Sequence, residues 1–273
     1  MVKPKKDLKN IIDFKNVYVN YNLVSSALEN INLTINTNEN WVILGANGSG
    51  KSTLIKLISN DLYPSSKYPF TKNIFGRDRG NIFELKKNLG IITNDLHNYF
   101  GIHGKNLTAY EIVLSGYNSS IGVFRDYQFT ENQFKKALEV LDFLEILEIK
   151  DKKVYQMSTG QLRLCIIGRA LIHDPKAFIL DEPTVGLDIK AQKSFIDLIK
   201  KLSTKASIIL VTHHIEEIFQ EITHVALIHN KTIFKQGKKE DILTSKNLSQ
   251  IFEIDIDIQK ENDRYYIKSI DQK

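Results

Sequence analysis

Residues 45–52 read Gly45-Ala46-Asn47-Gly48-Ser49-Gly50-Lys51-Ser52 and fit the spacing G-x-x-x-x-G-K-[ST]. Glycines at three of these eight positions let the backbone wrap tightly enough for successive N–H groups to point at phosphate oxygens. A helix opening near Lys51 adds the positive end of its dipole at the same place. Lys51 supplies a fixed cation for the β- and γ-phosphates of a nucleotide, and Ser52 a hydroxyl for Mg²⁺. A second group is carried by Phe178-Ile179-Leu180-Asp181-Glu182-Pro183. Here an apolar strand delivers two adjacent carboxylates at its C-terminal end, the edge at which open parallel sheets take ligands. Asp181 suits the metal's shell, and Glu182 is placed to polarise an attacking water as a general base. An apolar strand ending in two acids says little alone. Following a phosphate loop in the same chain, it points to nucleotide hydrolysis.

These groups need elements to hold them. From Ile11 to Ile35 the pattern alternates (Val17, Val19, Tyr21, then Ile31, Leu33, Ile35), which predicts antiparallel strands with one buried face. Trp41-Val42-Ile43-Leu44 is a continuous apolar run and predicts a strand buried on both sides, feeding the phosphate loop and a helix over Ser52–Ser59 that stops before Pro64. Residues from about Asn94 to Tyr155 carry apolar side chains at helical spacing, in Leu107–Leu114 and Gln133–Ile149, and predict a helical insert. Strands return at Ala177–Leu180, Ser207–Thr212 and Val225–His229, with helices between them, so the class is α/β with a parallel sheet. Ile254, Ile256 and Ile258, then Tyr265 and Ile267, flank Glu261-Asn262-Asp263 and predict a terminal hairpin. The boundaries read from this are a cassette over 1–250, with its insert at about 95–170, and a hairpin tail over 251–273.

Four further pieces carry a family resemblance. Ser158-Thr159-Gly160-Gln161, opening a helix over Leu162–Leu171, resembles the L-S-G-G-Q signature of ABC-type ATPases. By itself it reads as an ordinary capped helix. Gly186-Leu187-Asp188 resembles their D-loop, His213 at the end of a strand their switch histidine, and Tyr21 the ring they stack on adenine. The resemblance covers about Ile12 to Gly237. It implies a P-loop NTPase core with an antiparallel β subdomain and a helical insert. It also implies ATP contacts from Tyr21, residues 45–52 and Thr53, Mg²⁺ held by Ser52 and Asp181, and catalysis by Glu182 and His213. His214 is expected to point to the other side of the strand end. Ser158, Thr159, Gly160 and Gln161 would complete the ATP site of a second copy or a related cassette, in a head-to-tail pair.

Two positions depart from the family pattern. Asn94, followed by Asp95, stands where the family places a glutamine at the start of the insert, so its contact with Mg²⁺ is the weakest of the assignments. Thr159 replaces the first glycine of the signature pair. Leu114-Ser115-Gly116-Tyr117 with Ser120-Ile121-Gly122 resembles the branch of molybdate or iron importers.

Composition sets the remaining bounds. The chain of 273 residues is 42% hydrophobic and 25% charged, ordinary for a globular protein. Its net charge of +5, partly at Lys3, Lys5, Lys6 and Lys9 and partly at Lys235, Lys238 and Lys239, is too mild and dispersed to imply nucleic acid. A single cysteine, Cys165, excludes an internal disulfide. The N-terminus lacks the apolar core of a signal peptide, and no uncharged apolar run reaches 18 residues. The expectation is an ATP-hydrolysing subunit at the cytoplasmic face of the inner or plasma membrane, driving a separate transmembrane subunit. The rival is a soluble ABC ATPase acting on ribosomes or nucleic acid. Against it stand the single cassette and the 63 residues between Asn94 and Ser158, too few for a coiled-coil arm.

Overall fold

The computed structural model describes residues 9–21, 26–78, 81–120, 122 and 126–271. Lys3, Lys5, Lys6 and Ile121 lie outside these. In chain order the elements are β1 (Asn10–Asn20), β2 (Ser26–Asn36), β3 (Trp41–Leu44), α1 (Lys51–Ile58), β4 (Thr71–Ile74), α2 (Ile82–Asn88) and β5 (Leu89–Ile92). Then come α3 (Asn94–His103), α4 (Ala109–Leu114), α5 (Glu131–Phe143), α6 (Thr159–Leu171), β6 (Ala177–Asp181), α7 (Ile189–Ser203) and β7 (Ser207–Thr212). The chain ends with β8 (His224–His229), β9 (Thr232–Lys238), α8 (Lys239–Ile242), α9 (Ser245–Phe252), β10 (Asp255–Glu261) and β11 (Arg264–Asp271). Two compact units result, one from residues 1–85 and 203–273, the other from 86–202.

In the first unit β1 pairs antiparallel with β2, Phe14 opposite Leu33 and Val17 opposite Ile31, and β4 closes its other edge. Ile12, Phe14, Val17, Val19, Ile31, Leu33 and Ile35 are all buried, as the alternation predicts, but Tyr21 of the same alternation is exposed, because β1 ends at Asn20. β3 runs parallel to β7 on one side and to β8 on the other, and β9 adds an antiparallel edge. Every residue of β3 and of β7 is buried. Side chains such as Val42, Ile43 and Leu44 each stabilise the fold by about 1.5–3 kcal/mol through burial. This central strand is the anchor of the loop that follows it. The terminal hairpin forms as expected, with Asn262 and Asp263 both at positive φ in its turn.

The second unit holds the parallel pair β5 and β6 and the helices of the insert. α4 and α5 begin with reciprocal caps, Thr108 with Glu111 and Thr130 with Gln133. The helix expected over Gln133–Ile149 ends early, at Phe143. Glu145 takes a left-handed φ of 58°, the chain reverses there, and only a single 3₁₀ turn over Leu147–Ile149 follows. The Leu114–Tyr117 motif is a packing device. A methyl group on Gly116 would run into the carbonyl oxygen of Arg169, so glycine lets this turn lie against α6.

Candidate functional site: a phosphate loop and a signature helix

Gly45 follows β3 directly, and a Cβ there would strike the Ile228 carbonyl oxygen on β8 and come within 2.7 Å of Ser49 Oγ. No larger residue fits. Gly50, with φ 114°, caps α1 without any side-chain hydrogen bond, and a helix start of this kind favours an anion. Asn47 and Gly48 are exposed at the tip, while Ala46 is half-buried. Lys51 is buried, and its Nζ donates to the carbonyls of Gly45 at 2.8 Å and Ala46 at 3.1 Å, inside the curl of the loop. Ser49 Oγ is buried with no hydrogen-bond partner among the described residues. A buried hydroxyl left unsatisfied costs stability, and an arriving phosphate oxygen would satisfy it. The cradle fits its expected ligand on these grounds.

Ser52 is exposed on the first turn of α1, and Thr53 is buried with its Oγ1 2.9 Å from the hydroxyl of Tyr21. That bond anchors the Tyr21 phenol and leaves its ring 59% exposed beside the loop, a free face for a flat base. Leu44 lies opposite Thr212 in the β3–β7 pairing, so Gly45 and His213 leave neighbouring strand ends on one edge. His213 is half-buried. Contrary to expectation, His214 does not point away. Its ring lies 3.9 Å from that of His213, because the strand has already ended at Thr212 and the alternation of faces ends with it.

In the second unit the β5–β6 register sets Ile92 opposite Leu180, so Asn94 and Glu182 both lie two residues beyond paired strand ends. Asp181, half-buried, is the last residue of β6. Glu182 has a φ of 46°, a left-handed conformation that non-glycine residues rarely adopt and that clusters at functional sites. Ser52 and Asp181 offer hard oxygen donors of the kind Mg²⁺ prefers. Asn94 offers only a neutral amide oxygen, and that oxygen already takes part in a hydrogen bond. Its Oδ1 accepts from Arg163 Nη2 at 2.9 Å, and Asp95 beside it is exposed.

Ser158 caps α6: its Oγ accepts from the amide of Gln161 at 3.2 Å, and Gln161 Oε1 accepts from the Ser158 amide at 3.1 Å. Lys152 Nζ also donates to Gln161 Oε1, at 2.9 Å, so this side chain is committed to the helix start. Ser158 and Thr159 are exposed. Asp188 caps α7 by accepting from the Ala191 amide at 2.8 Å. Cys165, buried on α6, has its thiol pushed up to about 12 by burial and is inert.

Two side chains escaped the sequence reading. Arg163 on α6 is almost wholly buried, and His97 on α3 places Nε2 3.4 Å from the Thr159 carbonyl. Burial first, and the Arg163 charge second, hold the His97 imidazole below its ordinary pKa. The signal for Arg163 was a lone charge inside the apolar run Leu162–Ile167.

A family model described as ABC transporter matches residues 28–185. The uncharacterized ABC transporter ATP-binding protein YmeB of Lactococcus lactis is 30% identical over 261 residues, which are 94% of this chain and 98% of that one. The zinc uptake system ATP-binding protein ZurA of Listeria monocytogenes is 30% identical over 236 residues, 85% of this chain and 88% of that one. A solved dimer of MJ0796, a bacterial ABC transporter cassette, superposes with a TM-score of 0.66 at 27% identity, covering 83% of this chain and 98% of that one. The glycine loop, the acidic strand end and the capped signature thus stand in a chain that belongs to the ABC transporter family, as one of its ATP-binding, ATP-hydrolysing subunits.

Proposed function

We propose that two of these cassettes, identical or related, close head to tail on ATP and Mg²⁺, and that closure and hydrolysis drive a separate membrane-spanning subunit. Each nucleotide lies on residues 45–53 of one copy, with its adenine on Tyr21. Residues 158–161 of the other copy reach its γ-phosphate. Lys51 holds the β- and γ-phosphates. Glu182 takes a proton from the attacking water, and His213 orients that water against the γ-phosphate. Mg²⁺, held by Ser52 and Asp181, would neutralise charge developing on the phosphate oxygens. Asp188 closes the neighbouring turn. The pair works at the cytoplasmic face of the inner or plasma membrane, where ATP is supplied.

The observation that carries this reading is Gly160. A Cβ placed there would come no closer than 3.7 Å to any neighbour, Leu187 Cδ2, which is ordinary contact. Nothing among those neighbours calls for glycine, and a helix loses about 1 kcal/mol by having one. A ligand arriving from outside, against amides at the open end of α6, does call for it. Metal uptake in the ZurA relative supports a metal or metal-containing cargo here.

The test is Glu182→Gln, sized by light scattering with and without MgATP. The variant should bind MgATP, turn it over very slowly and accumulate as a dimer only with nucleotide. A monomer under both conditions with turnover intact would overturn both the base assignment and the closed pair.

A further inference from the structure

Arg163 stands five residues after the exposed Ser158, between Leu162 and Leu164, and is 3% exposed. A guanidinium in such surroundings is tolerated only when its donors are bonded. Its Nη1 donates to the backbone carbonyl of Pro183 and, at 3.0 Å, to that of Val185. Its Nη2 donates to Asn94 Oδ1 at 2.9 Å. One side chain on the signature helix therefore holds both the turn that follows β6 and the first residue of α3.

The turn it holds is the one that needs holding. Glu182 is left-handed, at φ 46°, and such a conformation persists only where the surroundings over-determine it. Pro183 and Val185 are the next residue and the third one on, and Val185 also donates its amide to the Glu182 carbonyl at 3.3 Å. Fixing the carbonyls of Pro183 and Val185 fixes the direction in which the Glu182 carboxylate leaves the strand. The same guanidinium occupies the amide oxygen of Asn94, the one atom of that side chain suited to a hard metal ion. Its charge is felt further along α3, where, second to burial, it helps to hold the His97 imidazole below its ordinary pKa.

We propose that Arg163 is a positioning residue for ATP hydrolysis: it sets the turn that aims Glu182 and binds Asn94 as a strut, so that Asn94 is not a ligand of Mg²⁺. This rests on Glu182 acting as the general base. Arg163 touches neither nucleotide nor water in this scheme and acts through the backbone it holds.

The experiment compares Arg163→Gln, Asn94→Ala, Asn94→Asp and the double variant Arg163→Gln/Asn94→Ala in the full chain, reading kcat, KM for MgATP and nucleotide Kd across a Mg²⁺ titration. Arg163→Gln should lower kcat at least ten-fold while KM and Kd move less than three-fold, a split that general loss of structure would not give. Asn94→Asp keeps an acceptor for the guanidinium and should stay within three-fold of the parent. Asn94→Ala should lose a few-fold, with no shift in the Mg²⁺ concentration for half-maximal activity. The double variant should be no worse than Arg163→Gln, because the bond is already broken. Should Arg163→Gln fail to fold, Arg163→Lys, which keeps the charge but not the fork, should show the same kcat loss at unchanged Kd. A hundred-fold loss in Asn94→Ala that high Mg²⁺ restores would overturn the strut. Unchanged kcat in both Arg163 variants, or losses that add in the double variant, would overturn the positioning role. Glu182→Gln is run beside them: if its turnover survives while Arg163→Gln still fails, the base assignment is at fault and not the strut.

Discussion

The phosphate loop and the signature helix are both glycine-bearing turns that open a helix, yet glycine is there for different reasons. At Gly45 the neighbouring carbonyl of Ile228 leaves no room for a Cβ, and at Gly50 the backbone is left-handed at 114°. Those two positions are fixed by their own surroundings. At Gly160 neither condition holds: φ is helical, and a methyl group on it would find its nearest neighbour 3.7 Å away. The loop is a finished half of a site, already curled around Lys51. The signature is a half built for something that arrives.

The largest effect expected of any substitution belongs to the finished half. Lys51→Ala removes the cation that the loop encloses, and ATP binding should disappear at ordinary concentrations while the fold survives. Nucleotide titration checks this, and an unchanged affinity would take Lys51 out of its role.

Two matched glycine changes sharpen the contrast. Gly45→Ala forces a methyl group into the Ile228 carbonyl, an overpacking that should cost about 1–3 kcal/mol of stability. Gly160→Ala replaces glycine inside a helix and should leave stability unchanged or raise it by up to about 1 kcal/mol. It should nevertheless abolish the nucleotide-dependent dimer in a Glu182→Gln background. Thermal melting and light scattering on the same samples separate the two. A destabilised Gly160→Ala that still dimerised would reverse the comparison.

Tyr21 gives a middle-sized effect. Its ring is exposed and its hydroxyl is held by Thr53 Oγ1. Tyr21→Ala should weaken ATP and GTP alike by about 1–3 kcal/mol, the range for base–aromatic stacking. Tyr21→Phe loses only the hydroxyl bond and should stay close to the parent. Equal affinities for parent and Tyr21→Ala would mean that the ring takes no part in binding.

Much of this was legible in the sequence, for identifiable reasons. β3, β6 and β7 are short apolar runs, and burial on both faces leaves no other reading for them. The cap at Ser158 and the hairpin around Asn262 and Asp263 follow from side-chain chemistry local to a few residues. β4, β5 and β9 were not legible. β4, Thr71–Ile74, alternates over only four residues, and β9 is a half-exposed edge whose polar residues show no alternation of buried and exposed positions. α9 hid in the same way: Ser245–Phe252 buries Asn247, Leu248 and Ile251 on one narrow face. The role of Arg163 was illegible because its partners, Asn94 and the carbonyls of Pro183 and Val185, are far away in sequence. A charge on an apolar face announces that a partner exists without naming it. The direction of His214 is illegible for a simpler reason: strand alternation holds only as far as Thr212, the last residue of β7.

The smallest effect concerns the tie between α3 and the signature. His97 reaches the Thr159 carbonyl, and burial together with the Arg163 charge lowers its pKa in the folded state, while the Thr159 carbonyl and the Asn98 side chain oppose that shift more weakly. The unfolded chain titrates this imidazole near its ordinary value of about 6.5. Above that value both states are neutral at His97, and the shift costs nothing. As pH falls below it the unfolded state binds a proton that the folded state resists, so stability drops, and the drop ends once pH passes below the folded pKa. His173, also held below its ordinary pKa chiefly by burial, acts in the same direction, so the acid slope of the parent has at least two sources. A His97→Gln variant removes one of them and can keep a hydrogen bond to the Thr159 carbonyl. Its Tm relative to the parent should therefore rise as pH is lowered from about 7.5 to 5.5, with His173→Gln as the parallel control. Parallel Tm curves for His97→Gln and the parent would show that neither burial nor the Arg163 charge holds this imidazole below its ordinary pKa.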